Sequence, residues 1–75
     1  MPTNEQRADY GREACETFCE SAGMDMENDM PSVVVDLIAN LLHLADQEGM
    51  CAESVLRTAT MHFEAETGEE IEWSK

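Results

Sequence analysis

The segment from residue 31 to 47 is apolar around most of a helical circumference, which constrains the fold more than any other feature. On an α-helix of 3.6 residues per turn, its apolar residues cover roughly 240°. They are Val33, Val34, Val35, Leu37, Ile38, Ala39, Leu41, Leu42, Leu44 and Ala45. A helix that is apolar on most sides must be covered on most sides. The chain therefore needs other helices, or a second copy, packed against this segment.

Helix start and stop signals place two further helices beside it. Thr3 and Gln6 have the spacing of a capping box, and Gly23 is a natural left-handed stop. Pro31 suits the first turn of a helix, and Gly49 and Gly68 end the later segments. We predict an all-α, three-helix bundle, with helices at about 4–22, 31–47 and 52–67. The 75 residues form one domain.

The flanking helices supply narrow apolar faces. The first helix would turn inward Ala8, Gly11, Cys15, Phe18, Cys19 and Ala22, and the third Ala52, Val55, Leu56, Ala59 and Phe63. Because the first face is built largely of small residues, we expect part of the second helix to stay uncovered. Two alternatives remain open. Either a homodimer forms through the second helix, or the gap is closed by the methionine loop (Met24, Met26, Met30) and a short docked tail carrying Ile71 and Trp73.

The charge balance limits the kinds of partner. Seventeen acidic and four basic residues give a net charge of −13. Nucleic acids and anionic membranes need clustered Lys and Arg, so neither is expected as a direct partner. A basic partner protein fits this charge, and so does a simple requirement for solubility. Polar residues interrupt the longest apolar stretch, which predicts no transmembrane helix.

Localisation follows from the N-terminus and the cysteines. The first residues are polar and acidic, which predicts no signal peptide. Three cysteines cannot all pair within one chain, and free thiols are typical of a reducing compartment. We therefore predict a cytoplasmic protein.

Five carboxylates of the first helix are the strongest candidates for a binding surface. They are Glu5, Asp9, Glu13, Glu16 and Glu20, spaced by four, four, three and four residues. This spacing places them on one face, where like charges destabilise a helix by roughly 0.2–0.5 kcal/mol per pair. In spacing and sign the row resembles a run of backbone phosphates. It predicts either a surface that competes with nucleic acid for a basic site or a solvated outer face.

A polar row on the second helix is the other candidate surface. It consists of Asp36, Asn40, His43 and Gln47. These side chains either face water or contact a partner, and we include the first three among the partner-binding residues. His43 beside Asp36 or Asn40 would make a pH-sensitive contact.

The thiols and imidazoles suggest two chemistries. Cys15, Cys19, Cys51, His43 and His62 contain the residue types of a zinc site, but the paired, loop-borne ligands of structural zinc sites are absent. Core packing is the expected role of Cys15 and Cys19. Cys51 precedes the third helix, whose dipole lowers a thiol pKa. We predict no catalytic residue, no metal site and no cofactor.

The stretch from Asp36 to Glu66, DLIANLLHLADQEGMCAESVLRTATMHFEAE, resembles the short acidic helical proteins that phages and prophages encode. Anti-CRISPR proteins and other nucleic-acid mimics are small and acidic in the same way. This resemblance implies a non-enzymatic inhibitor that occupies a basic site on a nucleic-acid-binding host protein.

A second resemblance points to an enzyme. Glu13 and Glu16 form an ExxE pair, and the run from Asp36 to Gly49 is similar to the second metal helix of all-α, MazG-type pyrophosphohydrolases. Carboxylate oxygens suit Mg²⁺, which this family binds. The chain departs from the family at Val33, where a carboxylate would stand. A relic of that enzyme is therefore one alternative function, and a simple homodimerisation module is another.

Overall fold

The computed structural model describes residues 2–68, which form three α-helices and no strand. They are α1 (Asn4–Ala22), α2 (Met30–Gln47) and α3 (Ala52–Thr67). The all-α, three-helix fold class predicted from the sequence is confirmed. The bounds of α1 and α3 match the predicted ranges, and α2 begins one residue earlier. The proposed docking of Ile71 and Trp73 lies outside the described residues.

Local hydrogen bonds fix both ends of α1. The Thr3 hydroxyl accepts a hydrogen bond from the backbone N–H of Gln6 at 3.1 Å, and the Thr3 N–H donates to Oε1 of Gln6 at 2.9 Å. At the other end Gly23 adopts a φ of 71°, and its N–H donates to the carbonyl of Cys19 at 2.9 Å. Both caps satisfy backbone groups that the helix itself leaves unpaired.

Replacing Thr3 with alanine is expected to lower the free energy of unfolding by about 1 kcal/mol, because the capping box loses its hydroxyl. Urea titration followed by circular dichroism measures the change. Thr17→Ala is the matched control, since Thr17 is an exposed residue inside α1 and alanine favours a helix interior. An equal loss of stability in both variants would contradict a capping role for Thr3.

The methionine loop between α1 and α2 is organised by two aspartates. The Asp25 carboxylate accepts hydrogen bonds from the backbone N–H of Glu27 at 3.0 Å and from the side-chain amide of Asn28. The Asp29 carboxylate accepts from the N–H of Ser32 at 3.4 Å, in the position of an N-cap. This cap explains why α2 begins at Met30, ahead of the proline.

The chain divides into two compact units, and the first contains α1 with α2 as far as Leu41. In this unit α1 packs against α2, and the buried residues are Val33 (0% exposed) and Cys15 (7%). Phe18 and Cys19 are half-buried on the same face of α1, as predicted. Ala8, Gly11 and Ala22 were also expected inside, but they are exposed. Their short side chains leave the space in front of α1 open.

The second unit contains the end of α2, from Leu42, and α3. Ala45 is its buried residue (4% exposed), and Leu56 and Thr60 of α3 are half-buried. The prediction that Val55, Ala59 and Phe63 form the inner face of α3 is wrong, because all three are exposed. Thr60 tolerates partial burial because its hydroxyl donates to the Leu56 carbonyl at 2.9 Å, which satisfies its hydrogen bonding inside the helix.

Candidate protein-interaction surface

The five carboxylates predicted on one face of α1 are all exposed, and we call this row the acidic stripe. From Glu5 to Glu20 the helix rises about 22 Å, so successive carboxylates are about 6 Å apart along its axis. One DNA strand carries a phosphate every ~3.4 Å of axis. The acidic stripe therefore presents somewhat more than half the linear charge density of a single strand, in one straight row.

No basic side chain of the described residues forms a close ion pair with the acidic stripe. Within residues 2–68, none of its five carboxylates takes part in a hydrogen bond or an ion pair. Arg7 donates to the side chain of Asn4 at 2.9 Å, and Arg57 pairs with Glu53 at 2.8 Å. Arg12 has no side-chain partner among the described residues. The negative potential of the stripe is thus left open to solvent.

Beside the acidic stripe, α1 and α2 leave an apolar groove of about 390 Å³. Small residues of α1 form one wall: Ala8, Gly11, Ala14 and Cys15. The other wall is formed by Met26 of the loop and by Met30, Val34, Leu37, Ile38 and Leu41 of α2. Arg12 is the only charged residue of the lining. We call this feature the α1–α2 groove.

The α1–α2 groove shows how far the methionine loop covers α2. Met26 is half-buried and Met30 lies at the groove, but Ile38 stays 44% exposed and Leu41 54%. The loop therefore covers only part of the apolar circumference of α2. The sequence predicted a broad apolar arc on α2 that stays partly uncovered, but it did not locate the uncovered part in a groove beside α1.

The polar row of α2 is exposed throughout, at Asp36, Asn40, His43 and Gln47. His43 makes no hydrogen bond or ion pair with Asp36 or Asn40. The structure thus places the row in contact with solvent, and it forms no charged network that would link His43 to a carboxylate.

The three cysteines occupy different environments. Cys15 is buried, Cys19 is half-buried and Cys51 is exposed, and none forms a disulfide. Cys51 occupies the N-cap position of α3, where its side chain makes no capping hydrogen bond. The hydroxyl of Ser54, and then the backbone N–H groups of Ser54 and Glu53, favour the thiolate and lower the pKa of Cys51.

We expect iodoacetamide to alkylate Cys51 before Cys15 and Cys19, because Cys51 is both exposed and stabilised as a thiolate. The pH midpoint of its alkylation rate should lie below that of the same residue in the urea-unfolded chain. Peptide mass spectrometry over a pH series measures both. Ser54→Ala should raise the midpoint in the folded protein, and an unchanged midpoint would contradict the role of Ser54.

The residues considered for metal binding are not brought together. In the part of the chain that the structure describes, no three His, Cys, Asp or Glu side chains lie close enough to hold a metal ion. Glu13 and Glu16 are exposed on α1. Val33, at the position where the pyrophosphohydrolase pattern requires a carboxylate, is the most completely buried side chain of the described residues.

Residues 2–68 contain no helix with the length and apolar character needed to cross a membrane. Comparisons of the chain with protein families, with curated proteins and with solved structures find no match. The fold and the exposed surfaces therefore define the protein as a small all-α protein with an acidic helix face and an apolar groove.

Proposed function

We propose that this protein is a non-enzymatic, cytoplasmic interaction protein of the phage type, which inhibits a nucleic-acid-binding host protein. In this role the acidic stripe occupies the basic site that normally holds nucleic acid, as in anti-CRISPR proteins that mimic nucleic acid. The observation that carries the proposal is the row of five exposed carboxylates on α1 with no basic partner.

Local energetics support a role for this row. Four successive like-charge pairs at spacings of three or four residues destabilise α1 by about 1–2 kcal/mol in total. Arg12 lies on the same helix, yet it forms no ion pair that relieves this repulsion. A partner that brings clustered Lys and Arg side chains to the stripe would remove the repulsion on binding, and its field would speed the encounter.

The test is capture of proteins from a bacterial lysate by the immobilised chain, followed by competition with DNA. We expect a basic, nucleic-acid-binding protein to be retained, and we expect duplex DNA to release it. The purified partner should in turn lose its DNA when the free chain is added. Retention that DNA does not affect would contradict competition for a shared basic site.

Two variants with the same net charge separate the stripe from the overall charge. Asp9→Lys, Glu13→Lys and Glu16→Lys together change the stripe, and the net charge from −13 becomes −7, since each substitution adds two units. Glu27→Lys, Asp46→Lys and Glu48→Lys make the same change at exposed positions outside it. Only the first variant should lose the partner. Release of pyrophosphate from nucleoside triphosphates in the presence of Mg²⁺ would overturn the non-enzymatic assignment.

A further inference from the structure

The α1–α2 groove is a second surface, and the proposed inhibitory function does not use it. It combines an apolar lining with several bulky side chains that remain well exposed, among them Val34, Ile38 and Leu41. Isolated exposed apolar side chains are normal, but a contiguous apolar groove marks a binding surface. We propose that the occupant of the α1–α2 groove is α2 of a second copy of this chain, related by a twofold axis.

The shapes of the two walls are complementary to each other. The α1 wall is a hollow, because Ala8, Gly11 and Ala14 carry little or no side chain, and a Cβ added at Gly11 would meet nothing within 4 Å. The α2 wall is a ridge, on which Val34, Ile38 and Leu41 follow each other at helical spacing. A twofold axis brings the same patch of both copies together. Each copy then places its ridge in the hollow of the other, as in ridges-into-grooves packing.

The charge of the groove lining disfavours a basic partner at this site. No carboxylate lines it, and its one charged residue is Arg12, which lacks a partner among the described residues. A basic protein would meet this guanidinium with like charge. The matching patch of a second copy carries no carboxylate either, so the contact is apolar, and it must outweigh the long-range repulsion between two chains that each carry a net charge of −13. The acidic stripes lie outside the groove lining, so the two copies can dock without pressing the stripes together.

The small core gives a reason for self-association. Of residues 2–68, only Cys15, Val33 and Ala45 are buried apolar side chains. Chains of this size often need a partner subunit to bury enough apolar surface. The groove and the ridge provide that surface without any change in the helices.

Sedimentation equilibrium of the full chain over a concentration series tests this inference. We expect a mass of twice 8.4 kDa at micromolar concentration, dissociating on dilution. Ile38→Gln removes part of the ridge, and Gly11→Leu fills the hollow, and each should raise the dimer dissociation constant at least tenfold. Val35→Gln is the matched control, because Val35 is 63% exposed on α2 but does not line the groove. It should leave the dissociation constant unchanged.

Gly11→Leu keeps the test decisive if Ile38→Gln fails to fold. It favours the helical state and meets open space, so circular dichroism should show intact helices in a chain that no longer dimerises. A wild-type chain that remains at 8.4 kDa up to millimolar concentration would overturn the proposal and leave the groove to a different partner. Equal weakening by Val35→Gln and Ile38→Gln would overturn it as well, by placing the contact elsewhere on α2. Loss of the dimer in these variants with retained capture of a basic protein would show that the two surfaces act independently.

Discussion

Replacing Val33 with aspartate is expected to lower the free energy of unfolding by about 2–5 kcal/mol, which is a large share of the total stability of a domain of this size. Val33 is 0% exposed, and the described residues include no buried charged side chain, so the new carboxylate would enter an apolar core. An uncompensated buried charge destabilises a protein by about 3–5 kcal/mol. The whole stability of a 75-residue domain is about 4–11 kcal/mol. Position 33 lies in the first turns of α2, near the positive end of the helix dipole. This position offsets at most about 1 kcal/mol of the cost of burying the carboxylate.

Thermal denaturation followed by circular dichroism measures this effect. Val35→Asp is the matched control, since it introduces the same residue two positions along the same helix, at a side chain that is 63% exposed. Its melting temperature should stay within a few degrees of the wild type. Val33→Ala should fall between the two, with a loss of about 2 kcal/mol from the missing methyl groups and the cavity they leave. Two aspartate variants of equal stability would contradict the placement of Val33 in the core.

The second large effect concerns the acidic stripe. At 0.1 M salt we expect Asp9→Lys, Glu13→Lys and Glu16→Lys together to weaken binding of the captured basic partner at least 100-fold. The reason is that three attractive contacts become repulsive, and like charges facing each other across an interface cost several kcal/mol. A 100-fold loss corresponds to only about 2.7 kcal/mol. Titration calorimetry with the purified partner measures the dissociation constants.

Salt distinguishes charge pairing from apolar contact at this surface. Between 0.1 M and 1 M salt the screening length falls from about 10 Å to about 3 Å. The affinity of the wild type should therefore fall at least tenfold over this range, and that of the matched control variant should fall nearly as much. A wild-type affinity that does not depend on salt would show that the partner binds through apolar contacts instead of charge pairing.

The ends of the helices could be read from the sequence because they are determined locally. Thr3 with Gln6, and the glycines that follow α1 and α3, carry their capping function in a few adjacent residues. Exposure of the acidic stripe was equally predictable, since carboxylates at these spacings share one helix face and are rarely buried. The cap at Asp29 is also determined by adjacent residues. It was not predicted from the sequence, because the neighbouring acidic residues made Asp29 hard to distinguish as the N-cap.

The buried face of α3 and the α1–α2 groove could not be predicted from adjacent residues alone. Helical periodicity placed both Val55 and Leu56 on the inner face of α3. In the structure Leu56 is the more buried of the two, because burial depends on tertiary packing. Thr60 was passed over because it is polar, although its bond to the Leu56 carbonyl makes it compatible with partial burial. The broad apolar arc of α2 indicated that something must cover it. Which residues remain uncovered depends on side-chain size in α1, above all at Gly11.

The caps of the helices have a consequence for how this protein can evolve. Thr3, Gly23, Asp29 and Gly68 hold the helix ends, and none of them belongs to the acidic stripe. The buried side chains Cys15, Val33 and Ala45 are separate from it too. Substitutions along the exposed face of α1 therefore leave both the helix ends and the core unchanged. An interaction surface built in this way can change its side chains without any change in the scaffold beneath it.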